Sequence, residues 1–206
     1  MQIDPAQHTG IENYLLLSSL VMPRPIAWIT SINAAGMLNL APFSFFNIVS
    51  GHPPYVLVSV GLRQDGSLKD TARNIESGGQ FVVNLVTEEL LNAMNVSAVD
   101  FPPDESEITA AELRCVPSVH VAVPRLQEAQ VSLECTLHKA EPLGTNRLYI
   151  GQVVMFHVAD PLIGPRLRVQ GFAPIGRLGV PSAYCRTTDR FELPRISYAD
   201  WHKRGS

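Results

Sequence analysis

A lysine and a threonine flank the start of a short predicted helix, where they could bind an anion. Residues 71–77 have a short helical pattern, with Asp70 as the predicted N-cap and Gly78-Gly79 as the end. A helix start offers unpaired amide groups, and Lys69 adds a positive charge, so this segment and Thr71 could hold a phosphate. The alternative is an ordinary capped surface helix with a solvated lysine, and spacing alone favours that alternative.

Residues 22–49 place polar side chains inside an apolar hairpin pattern. Two strand-like segments flank a turn at residues 33–37, where Asn and Gly can adopt positive φ. The hydroxyls of Thr30-Ser31 follow directly on the first apolar run. Ser44 and Asn47 lie among three phenylalanines in the second segment. Because buried polar groups need partners, a polar, planar ligand could lie on this hairpin.

The hairpin also has a purely structural interpretation. Ser44 and Asn47 could satisfy nearby backbone groups, as Ser and Asn side chains often do. The hydroxyls of Thr30-Ser31 could be simple strand-end polarity, and the phenylalanines are more often core than ligand contacts. Ser59, at the end of a later strand, is a weaker candidate of the same kind as Ser44.

No pattern in the chain predicts a catalytic residue or a metal site. His157 ends an apolar strand, where a lone histidine is more often structural than catalytic. The sequence contains no Ser-His-Asp order with a nucleophile elbow, no P-loop and no G-x-G-x-x-G fingerprint. The three cysteines are scattered and form no C-x-x-C pair, so neither a disulfide framework nor a zinc site is predicted.

Strand patterns dominate the elements that must position these residues. Residues 55–60 and 81–86 have the pattern of buried strands, and residues 131–138 alternate cleanly between apolar and polar positions. Residues 148–158 form a long apolar strand pattern. Because only short helices separate them, we predict a mainly β structure, an antiparallel split β-barrel with short peripheral helices.

Length and composition restrict the possible functions. A chain of 206 residues, 46% of them hydrophobic, suits a single domain over residues 1–206, with a core of about residues 14–184 and a tail of residues 185–206. The net charge of −3 and the pI of 6.1 predict no nucleic acid partner. No apolar run approaches the ~20 residues of a membrane span, and the first residues lack signal-peptide features. With the scattered cysteines, these features predict a cytoplasmic protein.

Several motifs occur together in one order. They are PRPIAWITS at residues 23–31, NLAPFSFFN at 39–47, SLKDTARNI at 67–75, FVVNLVTEE at 81–89 and GRLG at 176–179. This combination resembles the flavin reductase-like family of FMN-binding split-barrel proteins, over about residues 14–184. The resemblance implies a split barrel, FMN as the cofactor, and a homodimer with the flavin near the subunit interface.

The resemblance also implies roles for the candidate residues. The FMN phosphate would lie at the helix start and the flavin ring along the hairpin. The implied phosphate contacts are Thr30, Ser31, Lys69 and Thr71. The implied ring contacts are Ala41, Pro42, Ser44, Asn47 and, more weakly, Ser59. No protein acid or base is needed, because the flavin itself carries the hydride chemistry.

The implied activity is that of an FMN-binding oxidoreductase that passes reducing equivalents from NAD(P)H to bound or free flavin. The alternative is a non-enzymatic FMN carrier or an electron-transfer flavoprotein with another redox partner. Short NAD(P)H:flavin reductases usually carry a Gly-Asp-His-like element late in the chain, and residues 157–179 lack it. Without a dinucleotide fingerprint, a nicotinamide would have to bind directly over the flavin.

Overall fold

A seven-stranded antiparallel sheet forms the centre of the computed structural model, which describes residues 1–102 and 105–203. The strands are β1 (Ala27–Ile32), β2 (Leu38–Phe43), β3 (Phe46–Gly51), β4 (Pro54–Gly61), β5 (Gln80–Leu85), β6 (Cys115–Val116), β7 (Arg125–Leu126), β8 (Val131–Leu143), β9 (Asn146–Val158), β10 (Gly176–Arg177) and β11 (Tyr184–Cys185). The helices are α1 (Gly10–Leu20), α2 (Asp70–Gly78), α3 (Leu91–Val96), α4 (Glu107–Ala110) and α5 (Tyr198–Lys203). The predicted mainly β architecture with short peripheral helices is confirmed.

The order of the strands shows how the sheet closes. In space the order is β2-β1-β5-β8-β9-β4-β3, so β2 and β3, which are consecutive in the chain, lie at opposite edges. Only Ser44 and Phe45 connect them, and the Phe45 carbonyl accepts from the Ser59 amide at 2.8 Å. A link of two residues can join the edges only when the sheet curls on itself. The predicted apolar segment at residues 40–48 is therefore two strands, because the chain crosses between edges at Ser44.

The first strand of the predicted hairpin and the first part of its second strand are present as β1 and β2, which pair antiparallel over their whole length. The side-chain carbonyl of Asn33 accepts from two amides of the turn at 2.9 Å. Gly36 has a φ of 84°, which a glycine adopts without steric cost. These features fix the register in which β2 presents its residues to the cleft described below.

Two apolar clusters cover the two faces of the sheet wall. Ile29, Phe81 and Tyr149 belong to the cluster inside the barrel, whereas Trp28 and Leu40 belong to a cluster outside it. All five side chains are fully buried, and each contributes up to ~1.5–3 kcal/mol of stability. Neighbouring residues of β1 join different clusters because successive side chains of a strand point to opposite faces.

Helix α2 carries the predicted anion site. Its predicted end is confirmed, because Gly79 follows the helix in the left-handed conformation with a φ of 67°. The prediction that Asp70 is the N-cap was wrong, because Lys69 occupies that position and no side chain of the described residues caps the helix. The carboxylate of Asp70 instead pairs with Arg63 at 2.5 Å and with Arg73 at 2.7 Å.

The ends of the chain are less regular. β10 and β11 form a small ribbon that ends at the first residue of the predicted tail, and α5 lies within the tail. The assignment of residues 1–206 to one domain, with a core of about residues 14–184, stays a prediction. Residues 103–104 and the last three residues of the tail, 204–206, lie outside the described part. Among the described residues, no helix has the length and apolar character needed to cross a membrane.

Candidate functional site

A cleft of about 650 Å³ lies between β2, the start of α2 and the segment that follows α3. Its volume is within the ~300–1,000 Å³ that is usual for small-molecule sites. Four predicted contact residues line it, namely Ala41, Pro42, Lys69 and Thr71. The structure therefore brings the predicted phosphate segment and part of the predicted ring segment to one place.

The start of α2 supplies the cleft with groups that could bind an anion. No described side chain caps this helix, so its first amides keep their capacity to donate. The exposed Lys69 side chain makes no hydrogen bond or ion pair within the described part of the chain and lines the same cleft. The negative charge of Asp70 is offset by Arg63 and Arg73. A phosphate group fits this set of donors.

A polar network lies beneath the helix start. The side-chain amide of Asn39 donates to Thr71 Oγ1 at 2.8 Å and to Ser31 Oγ at 3.3 Å. Asn74 Nδ2 donates to Ser31 Oγ at 3.1 Å. Ser31 is fully buried and does not line the cleft itself. It therefore supports the cleft from behind, through Asn39 and Asn74.

The rim formed by β2 suits the polar edge of a flat ring. β2 is an edge strand of the sheet, so one row of its backbone donors and acceptors is not paired with β1. Pro42 lacks an amide hydrogen and is tolerated at such an edge. Ala41, Pro42 and Phe43 line the cleft along this strand. A ring with alternating donors and acceptors could therefore bind the strand without a charged side chain.

Glu107 is a carboxylate at the opposite wall of the cleft. Burial raises the pKa of Glu107, and the negative charge of Asp70 adds to the rise. Hydrogen bonds with its own backbone and with the Leu40 backbone lower the pKa of Glu107 and only partly offset the rise. Glu107 thus places a titratable negative charge near the anion-binding donors.

Thr30 lies on the other face of β1 from Ser31. Its hydroxyl donates to the carbonyl of Pro124 at 2.7 Å and accepts from Asn84 Nδ2 at 3.4 Å. Asn84 also accepts from the amide of Leu126 at 3.0 Å. Thr30 and Asn84 therefore hydrogen-bond the segment of residues 124–126 to the outer face of the barrel. The structure does not bring Thr30 to the cleft, and its contact with a phosphate stays a prediction.

Ser44 lies where the chain crosses from β2 to β3. Its hydroxyl accepts a long hydrogen bond, 3.4 Å, from Nε of Arg24. The buried Arg24 guanidinium also donates to the carbonyls of Ser18, Val21 and Leu178 at 2.5–2.8 Å. Burial lowers the pKa of Arg24. Arg24 therefore links α1 and the segment after β10 to Ser44, where the chain crosses from β2 to β3. A contact between Ser44 and the flavin ring stays a prediction.

Asn47 and Ser59 also lie away from the cleft. Asn47 lines a separate, mostly apolar groove of about 430 Å³, and its side-chain oxygen accepts from the Ile48 amide at 2.8 Å. Ser59 Oγ accepts from Nδ2 of Asn146 at 2.8 Å. Both residues have local partners within this chain, and their contact with the ring stays a prediction.

Asn39 and Glu107, two polar residues that line the cleft, are not singled out by the sequence. Asn39 opens the NLAPFSFFN motif, two positions before Ala41, so its place in the motif was a usable signal. Glu107 gives no such signal, because α4 packs against β2 only in the folded chain. Within residues 1–102 and 105–203, no group of three or more His, Cys, Asp and Glu side chains could hold a metal ion.

Comparison with known proteins identifies the family. The model of the flavin reductase-like domain family matches residues 18–172. The structure of nitrilotriacetate monooxygenase component B from Bacillus cereus is 41% identical, with a TM-score of 0.89 over 94% of this chain and 98% of that chain. The 2-nitrobenzoate 2-nitroreductase NbaA from Pseudomonas fluorescens is 36% identical, with a TM-score of 0.87 over 96% and 98%.

The split-barrel architecture is also found at lower identity. A split-barrel protein from Shewanella frigidimarina is 18% identical, with a TM-score of 0.79 over 93% of this chain and 96% of that chain, and it supports the fold alone. The predicted split barrel is confirmed. A flavin is the cofactor class that the family supports. The chain belongs to the flavin reductase-like family.

Proposed function

We propose that this protein is an FMN-dependent oxidoreductase of the flavin reductase type that takes electrons from NADH or NADPH. The observation that carries the proposal is the cleft, where the uncapped start of α2 and Lys69 face the edge strand β2. Because the donors are concentrated at one end, they favour a ligand that ends in a phosphate. This supports FMN over FAD.

The residues of the chain divide the binding between two ends of the cleft. Lys69, Thr71 and the first amides of α2 would hold the phosphate, while the backbone at Ala41-Pro42 would meet the ring edge. A bound flavin supplies the two-electron redox chemistry, so the protein only has to bind it, orient it and keep one face accessible. No catalytic acid or base is proposed.

The two similar enzymes support a redox function with a variable acceptor. One is named as a component of a monooxygenase and the other as a nitroreductase, although both share more than a third of their residues with this chain. The described chain has no dinucleotide-binding α/β unit among its elements. NAD(P)H would therefore bind directly over the flavin, loosely and with a high KM.

Anaerobic stopped-flow absorbance at the oxidised flavin band tests the proposal. We expect NADH or NADPH to bleach the band of the FMN-loaded protein, as dithionite does. If dithionite alone bleaches the flavin, the protein is an electron carrier or an electron-transfer flavoprotein instead. Asn47→Ala belongs in the same experiment, because slower bleaching retains Asn47 as a ring contact and an unchanged rate removes it.

We further propose a two-fold homodimer located in the cytoplasm. Ile48 and Phe156 are 77% and 57% exposed and line the same apolar groove, which one chain leaves uncovered. The three cysteines are free thiols, which suits a reducing compartment. Light scattering of the FMN-loaded protein at low micromolar concentration should give the dimer mass, and a monomer mass would reject the dimer. Cell fractionation tests the location.

A further inference from the structure

Asn39 lines the cleft of the proposed phosphate site and is hydrogen-bonded to Thr71 there. Its amide nitrogen donates to Thr71 Oγ1 at 2.8 Å and to Ser31 Oγ at 3.3 Å. We infer that Asn39 is a positioning residue that turns the Thr71 hydroxyl proton toward the cleft, and that it thereby makes the cleft select a phosphate over a hydroxyl. The inference rests on the proposed function, because it assumes that FMN occupies this cleft.

The polarity of the hydrogen bonds carries the argument. An amide NH2 group can only donate, so Thr71 Oγ1 must accept on the side that faces Asn39. The single proton of the Thr71 hydroxyl then has to point elsewhere. Within the described part of the chain no acceptor takes that proton, although Thr71 is only 1% exposed. Because Thr71 lines the cleft, the proton is available to a ligand there.

The neighbouring hydroxyl of Ser31 cannot accept the Thr71 proton. Ser31 Oγ accepts from both Asn39 and Asn74, at 3.3 Å and 3.1 Å, so both of its lone pairs are used. Ser31 therefore holds the Asn39 amide in place from the side away from the cleft. The result is a fixed donor at Thr71 instead of a freely rotating hydroxyl.

A fixed donor at Thr71 should strengthen the binding of FMN more than the binding of riboflavin. The phosphate of FMN carries about −1.5 to −2 charges near neutral pH and has only acceptor oxygens at its ionised end. A hydrogen bond from Thr71 to it is charge-assisted and strong. Riboflavin ends in a hydroxyl, which gains only an ordinary hydrogen bond and can supply its own proton. The Asn39–Thr71 pair should therefore favour FMN selectively.

Asn39→Asp reverses the polarity with almost no change of shape. A carboxylate can only accept, so the Thr71 proton would turn toward residue 39 and away from the ligand. Fluorescence titration should show the FMN affinity falling by about 10- to 100-fold, the value of one hydrogen bond to a charged group. The riboflavin affinity should change little. An equal loss for both ligands, or no loss for FMN, would overturn the inference.

Asn74→Asp is the matched control for the added charge. It places a carboxylate in the same buried network, but Asn74 donates to Ser31 and not to Thr71. We expect this variant to keep most of the FMN preference. If it loses the preference as fully as Asn39→Asp does, general repulsion explains the result and the inference fails. Thermal unfolding of each variant shows that the compared proteins are folded.

A double-mutant cycle with Thr71→Val shows whether Asn39 acts through Thr71. Removing the Thr71 hydroxyl should abolish any further effect of Asn39→Asp on the FMN-to-riboflavin ratio. Additive losses would mean that Asn39 acts independently, which contradicts the inference. Thr71→Ser keeps a hydroxyl and should keep the ratio. A wild-type protein that binds neither flavin rejects the proposed function itself, whereas FMN binding that ignores these substitutions rejects only the role of Asn39.

Discussion

Two polar clusters are set into the apolar barrel, and they differ in whether their hydrogen bonds are complete. In the closed cluster, the carboxylate of Glu134 is fully buried and accepts from the amides of Val119, His120 and Val121 at 2.6–3.2 Å. Nε2 of His157 lies 2.5 Å from the same carboxylate. The Glu134 carboxylate therefore finds all four of these partners within the chain.

The cleft at the start of α2 is the opposite case. Its helix start has no side-chain cap, and the Lys69 and Thr71 side chains donate to no acceptor among the described residues. Native structures rarely leave a buried donor such as the Thr71 hydroxyl without a partner unless a ligand or water takes it. The comparison teaches that a buried polar cluster with complete bonds holds the fold, whereas a cluster with unused donors is where a ligand is expected.

The two clusters also shift carboxylate pKa values in opposite directions. Burial alone would raise the pKa of Glu134, but the hydrogen bonds from the Val119 amide, from His157 and from the next two amides outweigh it and lower the value. In the cleft, burial prevails and the pKa of Glu107 is raised. The closed cluster thus stabilises a negative charge, and the cleft disfavours one on the protein itself.

Glu134→Ala should have the largest effect and should act on stability alone. The substitution leaves three amides and His157 without their acceptor, so the free energy of unfolding should fall by ~3–5 kcal/mol. Urea denaturation monitored by circular dichroism measures this change. The affinity for FMN should remain that of the wild type, because Glu134 does not line the cleft.

The pH dependence gives an independent check on Glu134. Because its folded pKa is lowered, its stabilisation is fully present above the ordinary value of ~4.3 and is lost as the pH falls through the folded value. The difference in stability between wild type and Glu134→Ala should therefore narrow in acid. Glu141→Ala is the control on the same strand, since Glu141 is exposed and pairs with Lys139 at 3.0 Å. It should cost no more than ~1 kcal/mol.

Lys69→Ala should have the next largest effect, and it should act on binding alone. Loss of a charge-assisted contact should weaken FMN by ~1–3 kcal/mol and riboflavin far less. Parallel fluorescence titrations with the two ligands measure the difference. Lys139→Ala removes the same charge from an exposed position of β8 and should leave both affinities unchanged. Equal weakening of FMN and riboflavin by Lys69→Ala would remove Lys69 from the phosphate site and break the comparison.

Local sequence patterns were sufficient for the elements whose faces and ends have their own chemical signals. The alternating pattern of residues 131–138 predicts β8, and Gly79 correctly marks the end of α2. The sequence singles out the start of α2 as a candidate anion site because a lysine and a threonine flank it, and this stays a prediction. The N-cap was placed one residue late, since Asp70 has two arginine partners that are decided by the folded loop.

Tertiary arrangement decided the rest of the site. The break at Ser44 follows from barrel closure, which no local pattern contains. Thr30 and Ser31 were assigned together, although the alternation of a strand already directs neighbours to opposite faces. Glu107 enters the cleft because α4 packs on β2, and the sequence gives no sign of that contact. The candidate site could therefore be located from the sequence, while its walls could not be completed.

Glu107→Gln should have the smallest effect, and it tests whether the cleft disfavours negative charge. Removing a carboxylate near the phosphate should tighten FMN by up to about fivefold, the range of 0.2–1 kcal/mol for partly screened charges. Glu105→Gln is the control, because Glu105 is exposed in the same segment and does not line this cleft. It should leave the FMN affinity unchanged.

The pH dependence of the Glu107→Gln effect decides its cause. Since the folded pKa of Glu107 is raised, the stability it contributes is greatest below ~4.3 and is lost as the pH rises through the folded value. The wild-type carboxyl becomes neutral in acid, so the ratio of variant to wild-type FMN affinity should approach one there and grow toward neutral pH. Using the ratio cancels the titration of the phosphate itself, near pH 6. Weaker FMN binding by Glu107→Gln at neutral pH would instead show that Glu107 accepts a hydrogen bond from the ligand, and the cleft would then resemble the closed cluster more than this comparison allows.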